Sequence, residues 1–325
     1  SFTADTKKES ELMAAEFAMN KNKKKSAVNR KKPKFKDALE KYINAKSNVL
    51  SPSTLRGYVQ MKTYYKDLDE VTIDKLDTIV MQEWINTLSE DHSPKTVKNA
   101  YSLVISILRF YDYDQKLSVT LPALEQIVYH IPTDEEIKRI IEYLKENDRD
   151  LLKAVYLAAF ATLRRSEIAG LTVDDLDVEH NVIHVHTVRV INKDKVFVDK
   201  TTTKTKSSDR YIEVPGFVMD ELKNSTDRIV SISADNITNR HVRLLKKLKI
   251  EHFRFHDLRH YSASIMHAIG VPDQYIMERG GWSNDKILKA VYRNVIKDYN
   301  EKFVKDTNEH FEKMQHEIQH KKENP

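Results

Sequence analysis

Apolar positions divide the chain into helix-period stretches, one short β-rich window and polar breaks between them. "FKDALEKYINAK", from Phe35, repeats apolar residues at three- and four-residue intervals, which predicts an amphipathic helix. Two further helix starts share one grammar, "SPSTLRGYV" at Ser51 and "SPKTVKNAYSLVISILRFY" at Ser93. In each, Ser is placed to cap, Pro takes the first helical position, where an N–H would go unused, and Thr follows in the first turn. "LDTIVMQEWINTLSE" between them supplies another amphipathic helix, so residues 35–113 read as a compact helical domain. Residues 4–19 also carry helical spacing.

Residues 114–131 contain a Pro and hold no sustained period, which reads as an interdomain linker. A second domain starts at "PTDEEIKRIIEYL", where Thr133 and Glu136 have capping-box spacing. "DLLKAVYLAAFA" is apolar nearly all round, as a buried helix would be. The β signal is confined to about residues 180–215, where "NVIHVHTVRVI", "KVFVDKTT" and "RYIEV" are rich in β-branched and aromatic residues. "TKTKSSD" reads as the turn of a hairpin between the last two. Helical spacing resumes after it, and Phe311, Met314 and Ile318 line one face of a C-terminal helix, as core or as a partner contact. The fold class is mainly α with a small antiparallel β-sheet (α+β).

Composition narrows the function classes. The 325 residues are 40% hydrophobic and 32% charged, with no apolar run near the roughly 18 to 20 residues a membrane span needs. The absence of cysteine excludes disulfides and Cys-based zinc sites and fits a cytoplasmic protein. The net charge of +5 is concentrated at the start, where residues 1–36 hold eleven Lys/Arg against four Asp/Glu. "KNKKKSAVNRKKPKFK" is a solvated linker or an attachment to nucleic acid or acidic lipid. Arg56, Lys95 and Lys98, beside the two Ser-Pro helix starts, are candidate phosphate contacts, though well-capped bundle helices need no such role.

The candidate chemistry centres on "FRFHDLRHYSA". His256 and His260, four apart, share a helical face and could hold zinc; His256 and Arg259, three apart, could instead face a phosphate. The zinc reading needs a third ligand, has the short Asp257 as its only nearby base, and places a permanent cation beside a ligand. Elsewhere "ATLRRSEIAGL" ends an apolar element with Arg164 or Arg165, and Glu167 is spaced to hold a guanidinium there. Lys204 and Lys206 project from the hairpin turn. "GGWSNDKILKAVYRN" places Trp282 ten residues before Tyr292.

The order of these elements, R-x-x-E after a buried helix, Lys in a turn, H-x-x-R, G-x-W and then Tyr, resembles the tyrosine recombinases, the phage and conjugative-transposon integrases. The likeness spans residues 35–300. "LRRSEIAGLTVDDLD" resembles the first arginine box, "TKTKSSDRYIEVP" the K-T-x-x-S-x-R segment, which favours Lys204 over Lys206, "FHDLRHYSASIM" the H-x-x-R box, and "GGWSNDKILKAVY" the last box. Thr162 stands where the family usually has Gly, which implies a slightly different backbone. Trp282 replaces the commoner His, and it can donate a hydrogen bond but not shuttle a proton.

The resemblance implies a metal-independent DNA strand transferase, with no cofactor, acting through a covalent 3′-phosphotyrosine. Arg164 and Arg259 would hold the phosphate and Tyr292 attack it. Lys204 would protonate the leaving 5′-oxygen, and His256, with an ordinary pKa near 6.5, would do acid–base work. Trp282 would donate to phosphate, Glu167 would hold the arginine box, and His260 is structural. It further implies residues 1–33 as an arm-binding remnant and basic linker, with a trimmed N-terminus. Residues 34–113 would be a core-binding domain, 114–131 a linker, 132–300 a catalytic domain and 301–325 a tail, exchanged in trans or folded in cis. The two domains would form a C-shaped clamp around double-stranded DNA at element ends and target sites, in a tetrameric synapse with DNA-bending or excision accessory proteins, at the bacterial nucleoid. A type IB topoisomerase, a DNA-binding regulator on the same scaffold and, last, a zinc hydrolase are the competing readings.

Overall fold

The computed structural model describes residues 32–113, 116–124, 130–201, 209–283 and 308. They fall into two units, divided between Glu125 and Gln126. The proposed arm remnant over residues 1–20, most of the basic linker and the C-terminal tail lie outside the described residues.

In the first unit, α1 (Phe35–Ala45), α2 (Pro52–Gln60), α3 (Thr78–Asp91) and α4 (Pro94–Phe110) surround one apolar core. The Ser-Pro starts form as their chemistry dictates. The Ser51 hydroxyl accepts from Thr54 N at 3.2 Å and that of Ser93 from Thr96 N at 3.3 Å, satisfying first-turn donors that have no intrahelical acceptor. Asp77 does the same for α3, accepting from Ile79 N and Val80 N at 2.9 Å. At the centre the rings of Phe35, Tyr65 and Trp84 follow one another at 5.1 and 5.7 Å. The two polar atoms this stack would strand are satisfied, because Tyr65 Oη donates to Ala100 O at 3.1 Å and Trp84 Nε1 to Tyr64 O at 2.8 Å. Part of the segment read as a linker belongs to this core. Leu117, Val119 and Leu121 pack on it, and the Gln82 amide exchanges two hydrogen bonds with the Thr120 backbone.

The second unit is built around α6 (Arg149–Ala159), eight of whose eleven residues are buried. Around it pack α5 (Asp134–Asn147), α7 (Arg165–Gly170), α8 (Gly216–Leu222), α9 (Ala234–Leu248) and α10 (Asp257–Ala268), and α11 (Asp273–Gly280) lies against α10. The capping box of α5 forms in both directions between Thr133 and Glu136. A helix apolar nearly all round has to be surrounded, which is why the other elements collect on α6.

The β window contains two sheets. The stretch read as one strand breaks at His186 into β2 (Val182–Val185) and β3 (Thr187–Ile191), joined by β1 (Leu176–Asp177), β4 (Phe197–Thr201) and β5 (Arg210–Glu213). Antiparallel pairing gives the order β1-β2-β5 in one sheet and β3-β4 in the other. The "TKTKSSD" hairpin therefore needs correction: among the described residues β4 and β5 do not pair with one another, and residues 202–208 join one sheet to the other. The reason lies in β2, whose alternating burial sets Ile183 and Val185 into the core beside Ile212, leaving β3 to pair with β4.

Gly170, the last residue of α7, abuts β3, and a Cβ there would meet Thr187 O at 2.9 Å and Arg189 N at 3.0 Å. Neither backbone atom can swing away as a side chain would. Gly170→Ala is expected to lower stability by about 1–3 kcal/mol, the usual cost of overpacking. Urea unfolding checks it, and an unchanged midpoint would mean that β3 is free to move.

Candidate active site

The loop after α6 ends at Arg164, whose backbone N–H is the first orphan donor of α7. Glu167, three residues on, turns back to accept it at 2.7 Å and takes Arg164 Nη1 at 2.7 Å as well. The R-x-x-E spacing is thus a capping geometry in which the carboxylate holds both backbone and side chain of one residue. Arg165 points elsewhere, bonding Thr238 and lying 4.0 Å from Asp235 on α9. Of the two adjacent arginines, Arg164 is the one at the site.

Glu167 is 1% exposed. An isolated buried carboxylate would cost several kcal/mol, and it is not isolated. Arg210 Nη1 and Nη2 donate to its two oxygens at 3.3 and 3.0 Å, and Arg259 Nη1 lies 4.0 Å away. Burial pushes its carboxyl up; the charge and hydrogen bonds of Arg210, then those of Arg164, outweigh this and hold it below the ordinary carboxylate range.

Arg259, on the first turn of α10, is also 1% exposed. Its Nη1 donates to Thr162 O and its Nη2 to Gly280 O at 2.8 Å, while Trp282 lies over the guanidinium at 4.5 Å. Its Nε is buried with no hydrogen-bond partner. Burial first, then Arg164, lowers its pKa to about 9, so it remains a cation at neutral pH. Arg164 Nη2 donates to Gly281 O at 2.6 Å, so consecutive carbonyls of one turn receive the two arginines.

The backbone is shaped to make those contacts. Thr162 has φ +58°, the left-handed region that glycine favours. Thr therefore adopts the conformation that the missing Gly would supply, held by its buried hydroxyl, 2.6 Å from Ala161 O and 3.1 Å from Arg279 O. Gly280 admits no side chain, because a Cβ would lie 2.0 Å from a ring carbon of Trp282.

His256 stands at the N-cap position of α10 without a side-chain capping bond and is exposed, its ring edge-on to that of His260 at 5.1 Å. The ordinary pKa near 6.5 does not hold for it. The surrounding protein, then the charges of Arg259 and His260, lower it to about 4, so His256 is neutral at pH 7 even though its ring reaches solvent. His260 is lowered to about 4 for the same first reason, and its Nδ1 is buried without a partner. Asp257, the base a zinc hydrolase would need, is fully buried and committed to Arg254, accepting from its backbone N at 2.8 Å and Nη2 at 2.7 Å.

The structure thus brings together Arg164, Glu167, Arg259, Trp282 and His256 from three stretches of the second unit. Lys204 and Tyr292 lie outside the described residues. Arg56, Lys95 and Lys98 belong to the first unit, where Lys95 and Lys98 are exposed on α4 and Arg56 is half-buried on α2. Two residues of this cluster were missed from sequence. Arg210 is the last letter of the K-T-x-x-S-x-R segment, so its signal was present. Arg279 carries no motif signal; it donates to Phe160 O at 2.8 Å and Glu213 O at 2.9 Å, and its own carbonyl accepts from Arg210 Nε.

The model of the phage integrase family matches residues 132–298. A tyrosine recombinase XerC-like protein of Caldanaerobacter subterraneus subsp. tengcongensis is 26% identical over 293 residues, covering 74% of this chain and 72% of that protein. Among solved structures, the Tn1549 transposon integrase in complex with a circular intermediate DNA superposes with a TM-score of 0.66. It is 19% identical and covers 83% of this chain and 98% of that one. A lambda integrase tetramer bound to a Holliday junction gives 0.60 at 15% identity, over 81% and 78%.

The buried histidines generate a pH prediction. His241, fully buried on α9, packs edge-on to Phe253 and Phe255 of the segment leading to His256, and burial lowers its pKa from 6.5 to about 4. Between those values the unfolded chain binds a proton that the folded chain refuses, so stability falls as pH drops from 6.5 towards 4. His241→Met should reduce that slope by up to about 1.4 kcal/mol per pH unit, read from urea unfolding at several pH values. An identical slope in the variant would mean that His241 titrates normally in the fold.

Proposed function

The chain belongs to the phage integrase family, the site-specific recombinases of the tyrosine class, and on that premise we propose that Arg164 and Arg259 bind the scissile phosphate for attack by Tyr292. The observation that carries this reading is the buried, unpartnered Nε of Arg259 beside a second guanidinium. Buried donors are rarely left unspent, and a nonbridging phosphate oxygen is the acceptor a paired-arginine site is suited to hold. Trp282 keeps the Arg259 plane in place by stacking on it.

The Tyr292 oxygen bonds to phosphorus, the bond from phosphorus to the 5′-oxygen breaks, and a 3′-phosphotyrosine remains. A phenol with a pKa of about 10 must lose its proton as it attacks. His256, neutral at pH 7, has a lone pair free to accept it, although a pKa of about 4 makes it a weaker base than an ordinary imidazole. Lys204 gives its proton to the departing 5′-oxygen. The ester energy is kept in the phosphotyrosine, so a 5′-hydroxyl of a partner strand reverses the step and completes exchange.

Residues 34–113 act as the core-binding domain and 132–300 as the catalytic domain, with Arg56, Lys95 and Lys98 contacting DNA backbone near capped helix starts. Double-stranded DNA at element ends and targets is the partner, in a tetrameric synapse aided by DNA-bending or excision proteins. The solved lambda integrase tetramer on a Holliday junction supports the synapse by analogy.

A nicked duplex carrying the element end, incubated with the protein in EDTA and resolved on a denaturing gel, tests the reading. A covalent adduct should form with the wild-type protein and map to Tyr292. Tyr292→Phe should bind the same DNA and form none; an adduct in that variant would move the nucleophile, with Tyr299 the next residue to replace. Arg164→Lys should slow adduct formation by about a hundredfold or more, since an ammonium cannot reproduce the guanidinium fork. Near-normal cleavage would remove Arg164 from the site.

A further inference from the structure

Arg210 lies at the start of β5, two residues beyond the segment that carries Lys204, and its side chain is 5% exposed. All three of its nitrogens are spent inside the protein. Two grip Glu167, and Nε donates to Arg279 O at 2.8 Å. On the other side of the same carboxylate sits Arg164. Each Glu167 oxygen therefore accepts once from Arg210 and once from Arg164, and neither arginine can shift without turning the carboxylate away from the other.

We propose that Arg210 is a positioning residue for strand cleavage, whose two-pronged hold on Glu167 fixes the carboxylate that aims Arg164. It touches no reacting atom, because its donors are committed within the protein. It also ties the strand that follows Lys204 to the arginine box, so the two sides of the site keep one register. This rests on the recombinase reading of the same site.

A merely structural ion pair and a positioning pair differ in pH behaviour. The charged groups facing Glu167 are Arg164 in its own turn, Arg210 from β5 and Arg259 from α10, while Arg279 of α11 presents only a carbonyl to Arg210. Burial pushes the Glu167 carboxyl up and Arg210 is the larger of the two opposing partners, so removing Arg210 should leave Arg164 alone against burial and move the carboxyl upward. A protonated Glu167 loosens Arg164, and raising the pH ionises it again.

The test is Arg210→Gln in the nicked-duplex assay, with adduct formation expressed as a ratio to wild type at each pH between about 6 and 9. The ratio should fall about tenfold or more at pH 7, the scale of cost for a misplaced catalytic group, and climb towards one as pH rises, while DNA affinity is unchanged. Arg210→Lys should recover part of the loss, and Glu167→Gln/Arg210→Gln should lose the pH dependence of the ratio. A ratio that is flat with pH, or within twofold of wild type throughout, overturns the proposal. Should thermal melting show that Arg210→Gln does not fold, the same ratio is read on Arg210→Met, an uncharged side chain of similar length suited to a buried position, with the same two outcomes. Absence of an adduct from wild type would instead defeat the recombinase reading itself, which keeps the two failures apart.

Discussion

Everything at this site depends on one buried carboxylate. Glu167 has almost no solvent contact, yet Arg210 from β5 and Arg164 from the residue before α7 hold its carboxyl below the ordinary range, with Arg259 of α10 4.0 Å away. An ion in that position is tolerable only with good geometry and with its lone pairs filled, and four donated hydrogen bonds fill them. The carboxylate acts less as a source of stability than as a fixture, since it converts three flexible side chains into one rigid group.

The second constraint is backbone geometry. Arginines have more donors than one carboxylate can accept, and the remainder go to carbonyls of Thr162, Arg279, Gly280 and Gly281. Two of those residues hold left-handed conformations, Thr162 at φ +58° and Gly281 at φ +63°, and Gly280 is pressed against Trp282 with no room for a Cβ. A non-glycine residue in that region costs on the order of 1–3 kcal/mol. At Thr162 the cost is offset by the hydroxyl, which reaches Arg279 O, while the turned peptide gives its own carbonyl to Arg259. The strain lies where a carbonyl has to be aimed.

Much of this could be read from the letters because it is local. Ser-Pro starts, the Thr133 capping box and the Glu167 cap each operate within one turn, so spacing alone reveals them. The helix class and the buried α6 followed from periodicity. What stayed hidden is non-local. The break at His186 and the division of five strands between two sheets depend on which neighbour each strand finds, and single-sequence alternation is silent on that. Arg279 could not be found because its partners, Phe160 O and Glu213 O, are backbone atoms far away in sequence. The pKa of His256 was misjudged because a textless quantity, the density of protein and cations around the ring, sets it.

The charge balance joins the two constraints to the proposed chemistry. Three guanidiniums face one carboxylate, and His256 and His260, both held near pKa 4, add no charge at neutral pH. A cluster shaped only for stability would be expected to balance, since unpaired buried charge is costly and an apolar replacement often does as well. This one keeps an excess of cations, has the pKa of Arg259 lowered by burial and then by Arg164, and leaves Arg259 Nε unspent. In the proposed reaction an anion entering between Arg164 and Arg259 would relieve all three at once, and a transition state in which phosphate gathers further negative charge would relieve them more. On that proposal the excess is a differential term, which would disfavour the free protein and favour the state in which charge has developed. Neutral histidines fit the same proposal, because a further cation at His256 would raise the cost of the resting site and would leave no lone pair for the phenolic proton.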